Sequence, residues 1–88
     1  MMKKRRQYTL IVKDMAGVLN RISGYIRRNG WNVERIHVEP IDHTGQSRMQ
    51  MEICLTDSEA ARFEQRLRDR NFVFSICLED GGEASYEE

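Results

Sequence analysis

Residues 14–49 read DMAGVLNRISGYIRRNGWNVERIHVEPIDHTGQSRM, and this stretch decides the fold. A small-residue turn at Ala16-Gly17 leads straight into Val18, Leu19, Ile22 and Ile26. These recur at helical spacing, with Arg21, Arg27 and Arg28 largely off the apolar stripe. Asn29-Gly30 is a helix-stop signal. A strand follows over residues 33–38. Its apolar residues Val33, Ile36 and Val38 miss strict alternation once, which predicts a bulge near Glu34-Arg35. Pro40 ends that strand or marks a sheet edge, because proline has no amide to give to a ladder. Asp42-His43-Thr44-Gly45 then makes a hairpin connection.

Outward from this stretch the pattern completes itself. Tyr8 to Val12 is β-rich and reads as the first strand. Met49, Met51, Ile53 and Leu55 alternate with Gln50, Glu52 and Cys54 as a half-buried third strand. Thr56 followed by Glu59 has capping-box form, and the helix behind it turns Ala60, Phe63 and Leu67 inward. Phe72, Phe74, Ile76 and Leu78 alternate with Val73, Ser75, Cys77 and Glu79 as a fourth strand. The order is βαββαβ. Two right-handed crossovers of this kind give an α+β, ferredoxin-like domain: a four-stranded antiparallel sheet with two helices on one face. Strand 1 then lies between strands 3 and 4, and strand 2 is an edge.

The chain has 88 residues, 14 basic and 14 acidic, and a formal charge of +0. One small domain is expected, of a size that often draws stability from a partner chain. Balanced charge argues against a nucleic-acid binder driven by bulk electrostatics. The charge is unevenly placed, with Lys3-Lys4-Arg5-Arg6 near the start and Glu83, Glu87 and Glu88 near the end. Residues 1–6 read as a flexible basic leader, 7–80 as the domain and 81–88 as a flexible acidic tail. No apolar run reaches the ~20 residues of a membrane helix. Lys3 to Arg6 leads into strand-like sequence and not into a cleavable apolar core. Cys54 and Cys77 lack metal spacing, and the expected topology sets their strands about 10 Å apart, too far for a disulfide. Two reduced thiols are expected, as in a cytosolic protein.

Catalytic readings find little support. His37 and His43 lack metal-ligand spacing; His37 is expected to face away from the helices, and His43 sits beside a turn glycine. No G-x-S-x-G context or glycine-rich phosphate loop is present. Asp14, at a helix entry, fits a cap better than a general base. The third strand lacks the aromatics on which RNA-recognition modules of this topology stack bases. What remains is the turn itself. Gly17 lets the backbone approach a ligand, and a helix N-terminus offers unpaired amides to a small anion. A plain tight turn would use the same residues, so residue type alone leaves both readings open.

At these residues the chain resembles an ACT domain, and within that group the small regulatory subunit of acetolactate (acetohydroxyacid) synthase. The resemblance rests on Ala16-Gly17-Val18-Leu19-Asn20-Arg21-Ile22, on Arg28 to Glu34, on Val38-Glu39-Pro40 and on Ser47-Arg48-Met49. It spans roughly residues 7–80. It implies a non-catalytic subunit that activates a large subunit and mediates feedback control by a branched-chain amino acid, typically valine. Thiamine diphosphate, Mg and FAD would belong to that large subunit, with no cofactor in this chain. The resemblance further implies a cytoplasmic homodimer paired through strand 2 and helix 1, with the effector at the seam. The effector-binding residues carried over are Asp14, Ala16, Gly17, Val18 and Leu19 of one chain, Asn32 from the partner chain, and Val33 as apolar surface beside Val18 and Leu19. No metal site, nucleic acid or membrane enters this reading. Two alternatives stand beside it: a stand-alone amino-acid sensor, and a nucleic-acid or protein-interaction module of the same fold.

Overall fold

The computed structural model describes residues 2–79. Its elements are β1 (Lys4–Lys13), α1 (Val18–Arg28), β2 (Asn32–Ile41), β3 (Gln46–Leu55), α2 (Asp57–Arg68) and β4 (Val73–Leu78). The sheet order is β2-β3-β1-β4 with every neighbouring pair antiparallel, as the βαββαβ reading requires. β2 and β4 are the two edges.

Alternation builds one buried face. Tyr8, Leu10 and Val12 of β1 stand beside Met49, Met51, Ile53 and Leu55 of β3, and all seven are buried. Val18, Ile22 and Ile26 of α1 and Ala60, Phe63 and Leu67 of α2 close over them. Fully burying side chains of this size contributes about 1.5–3 kcal/mol each, which is the main force holding a domain this small. Trp31 is buried just ahead of β2, edge-on to Phe63 (5.8 Å) and to Tyr25 (5.3 Å).

The ends of the helices follow local chemistry. At α1, Gly30 takes φ 71°, and the amides of Gly30 and Trp31 turn back to the carbonyls of Arg27 and Ile26. This closes the helix in a Schellman arrangement, with Trp31 and Ile26 as its apolar pair. At α2, the Thr56 hydroxyl accepts from the Glu59 amide (3.2 Å), while the Glu59 carboxylate accepts from the Thr56 amide (2.9 Å). The capping box is complete.

Three sequence expectations are corrected. First, β1 starts at Lys4, so Lys4, Arg5 and Arg6 are strand residues paired with Leu55, Cys54 and Ile53, where a flexible leader was expected. The reason lies far along the chain: Arg6 donates to the Leu55 carbonyl (3.2 Å) and to Asp57 (2.7 Å), which fastens the start of the strand. Second, simple alternation fails in β4. The register with β1 shifts between Ile11 and Val12, which places Val73 opposite Val12 in the core and leaves Phe74 at 53% exposure. Third, Asp14 does not cap α1, whose N-cap is Gly17 with no side-chain hydrogen bond. The predicted β2 bulge is present, with the register slipping between Val33 and Arg35. Pro40 lies within β2, on the edge strand where its missing amide costs least.

The acidic tail assigned to 81–88 lies outside the described residues. Both cysteines are free, and both lie on the face away from the helices. Cys54 is level with Arg5 and Cys77 with Thr9, so they are offset along β1 as well as across it.

Candidate functional site: the β1–α1 turn and the β2 edge

β1 ends at Lys13, whose amide donates to Phe72, and the Asp14 amide donates to Gly45 at 2.8 Å. The loop is thereby fastened to the β2–β3 hairpin on one side and to the start of β4 on the other. Gly17 then adopts φ 93° and ψ −16°, left-handed values that an L side chain takes at a cost of about 1–2 kcal/mol. A Cβ built on Gly17 would meet nothing within 4 Å, so backbone conformation, not crowding, selects glycine here.

The turn leaves the helix start open. Val18 donates to Met15 (3.3 Å) and Arg21 to Gly17 (2.9 Å). Among the described residues, the amides of Ala16, Gly17, Leu19 and Asn20 have no acceptor. No acidic residue stands in the first turn of α1. Unpaired amides and the positive end of the helix dipole therefore converge on one exposed spot, the physical requirement for holding a carboxylate. Asp14 and Ala16 are exposed beside it. Leu19 is 42% exposed, whereas Val18 is buried in the core at 3% and has only its backbone left to present.

Asn32 and Val33 are elsewhere. Asn32 begins β2 level with Cys54, whereas the end of β2, Ile41, is level with Gln46 and through it with Lys13. The length of β2 thus separates Asn32 from the turn within one chain, about 30 Å at ~3.3 Å per residue. The structure brings Asp14, Ala16, Gly17, Val18 and Leu19 together and leaves Asn32 and Val33 at the other end of the sheet. Asn32 is exposed, its side-chain Nδ2 donating to the Glu34 carboxylate (2.9 Å). Val33 is half-buried and lines a shallow cleft of ≈ 270 Å³ with Ile26, Arg27, Trp31 and Ile36. β2 pairs only with β3 among the described residues, so its outer row of N–H and C=O groups is unpaired.

The remaining candidates stay isolated. His37 is exposed, level with Gln50 on the open face, and 3.2 Å from Glu39. His43 sits in the hairpin at φ 63°. Among the described residues no group of three or more His, Cys, Asp or Glu could hold a metal ion, and no helix is long and apolar enough to cross a membrane. On the open face of β1 and β3, the positions from Arg5 to Lys13 and from Gln46 to Cys54 carry no aromatic side chain on which a base could stack. Sequence reasoning passed over a cleft between the two helices, where Arg21, Arg28, Arg66 and Arg70 meet. The four are spread over 50 residues, and only the helix packing unites them.

Comparison with known proteins gives the family and the fold. The family described as "AHAS small subunit-like ACT domain" matches residues 9–69. The chain is 35% identical over 60 residues to acetolactate synthase small subunit 2, chloroplastic, of Arabidopsis thaliana, covering 68% of this chain and 13% of that protein. In fold it is similar to the acetolactate synthase small subunit of Thermotoga maritima (TM-score 0.75, 19% identity), covering 85% of this chain and 47% of that one. It is also similar to the ACT domain of GTP pyrophosphokinase from Chlorobium tepidum (TM-score 0.72, 19% identity), covering 88% and 99%. The chain therefore spans a small part of the plant subunit and about half of the Thermotoga one. On the match over residues 9–69, with the fold in agreement, the chain belongs to the AHAS small subunit-like ACT domain family.

Proposed function

We propose that this chain is a non-catalytic regulatory subunit of acetolactate synthase, activating the large subunit and mediating feedback control by a branched-chain amino acid, with valine the first candidate. The observation that carries the reading is the uncapped start of α1, four unpartnered amides beside Gly17 at φ 93° in a chain of this family. The amides of Ala16, Gly17 and Leu19 would take the effector's carboxylate. The Asp14 carboxylate would take its ammonium group. Leu19 and Val33 would offer apolar surface to the branched side chain.

The separation of Asn32 from the turn supports a site shared between two chains. Two copies paired antiparallel along their β2 edges, about a two-fold axis near Ile36, would bring the partner's Asn32 level with Ile41, near the hairpin that holds Asp14. The half-buried Val33 and Ile36 and the cleft beside them would be covered in the same step. A ligand at such a seam prefers one dimer geometry, and a coupling of about 1–3 kcal/mol to the large subunit is then in the ordinary range. Selectivity among valine, leucine and isoleucine would be modest, since one methylene is worth about 1–3 kcal/mol. The cofactors of the reaction, thiamine diphosphate, Mg and FAD, would lie on the large subunit, and the assembly would be cytoplasmic.

The test is reconstitution. Co-expression with an acetolactate synthase large subunit should give a complex of raised activity that valine lowers again. Valine binding with no association would instead favour a stand-alone sensor, and the absence of both activation and valine binding would sink the reading.

A further inference from the structure

Four arginines, Arg21 and Arg28 of α1, Arg66 of α2 and Arg70 just beyond it, line one cleft of ≈ 210 Å³ between the helices. The chain as a whole is neutral, so this concentration of one sign is local. None of the four is in an ion pair among the described residues; Arg68 takes Glu64, Arg6 takes Asp57 and Arg48 takes Glu39. Asp69, next to Arg70 in sequence, accepts from the Gln65 side chain.

Two of the four are also held in place. Arg21 lies over the Phe72 ring at 5.9 Å and Arg66 over the Tyr25 ring at 5.4 Å, contacts that fix the long side chains along the cleft walls. Gly24 stands between Arg21 and Arg28 on one helical stripe, and a Cβ there would come within 3.3 Å of Arg28 Nη1. Like charges gathered this way repel, and an anion with several oxygens relieves the repulsion. Guanidinium forks match phosphate oxygens two at a time. The volume is below the ~300–1,000 Å³ of sites for drug-sized ligands, which suits the phosphate end of a small molecule better than a whole cofactor.

We propose that the cleft between α1 and α2 binds a small phosphate-bearing anion, at a site separate from the β1–α1 turn. The experiment is calorimetric and NMR titration of the full chain with pyrophosphate, with inorganic phosphate and a nucleoside diphosphate as parallel arms to separate the sources of the phosphate group. Saturable pyrophosphate binding with shifts at Tyr25 and Phe72 is expected. Arg66→Gln and Arg70→Gln should each weaken it roughly tenfold, the scale of one lost charge-assisted hydrogen bond. Arg68→Gln, outside the cleft, should not. Circular dichroism checks the fold of each variant, and Arg21→Lys, which keeps the charge and loses the fork, should also bind more weakly. Absence of saturable binding, equal affinity in the cleft variants, or binding of polyglutamate without pyrophosphate would each overturn the proposal. Valine titration of the same variants should be unchanged, which keeps this site distinguishable from the turn.

Discussion

The Asp14 amide donates to the Gly45 carbonyl at 2.8 Å, so the loop ahead of α1 and the hairpin between β2 and β3 are one fastened unit. Gly45 sits at φ 72°. Gly45→Ala should therefore cost about 1–2 kcal/mol of stability through backbone strain, measured by urea denaturation. It should also weaken valine binding, because relief of that strain displaces the carbonyl that anchors the loop. A variant that loses stability yet binds valine unchanged would show that the anchor does not position the loop.

Gly17 separates stability from binding. Space around it is open, so Gly17→Ala should cost about 1–2 kcal/mol from its positive φ and leave the fold intact. Gly17→Asp adds a carboxylate beside the free amides, where it can cap them and repel an effector's carboxylate. Its valine response should vanish while its circular dichroism stays native. Unchanged valine binding in that variant would remove the turn from the site.

Tyr8 carries an alkaline prediction. Its hydroxyl donates to Glu64 at 2.6 Å, and burial first, then that hydrogen bond, hold the phenol proton well above the ordinary phenol range. A folded-state value raised above the unfolded one gives a contribution that is full below about pH 10 and lost as pH rises through the raised value. Tyr8→Phe should cost about 1–3 kcal/mol near neutral pH, because Glu64 loses its donor. It should also flatten the alkaline loss of stability. Denaturation midpoints at several pH values above neutrality provide the check.

At acid pH the start of α2 should respond first. The Arg6 hydrogen bond holds the Asp57 carboxyl below its usual range, and Lys3 with the Thr56 amide does the same for Glu59. Lowered values mean that this support is present above the unfolded carboxylate range and is lost as pH falls through the folded values. Arg6→Gln should shrink the acid-side slope of stability. Thr56→Ala should cost about 1 kcal/mol at neutral pH by removing the capping box. Equal acid slopes in Arg6→Gln and the parent chain would contradict the assignment.

The elements that sequence made legible are those governed by local chemistry. The capping box at Thr56, the helix stop at Asn29-Gly30, the alternation of Met49 to Leu55 and the β2 bulge each depend on neighbours within a few residues. The features that escaped depend on partners far along the chain. Val73 is buried and Phe74 exposed because β1 shifts register at Ile11/Val12, which no pattern inside β4 records. Lys4 to Arg6 join β1 because Leu55 and Asp57 accept from Arg6. The candidate site divides in the same way. The turn at Gly17 was legible as a local signal, whereas the distance from it to Asn32 and the arginine cleft between the helices exist only once the sheet and helices are assembled.

The most direct test of a two-chain effector site is calorimetric titration with valine of an equal mixture of Gly17→Asp and Asn32→Ala chains, refolded together. In a mixed dimer one site carries both defects and the other carries none. Each variant alone should bind valine weakly or not at all, and the mixture should regain a fraction of sites with the parent affinity. A mixture as inert as its components, with mixed dimers verified to form, would contradict a two-chain site.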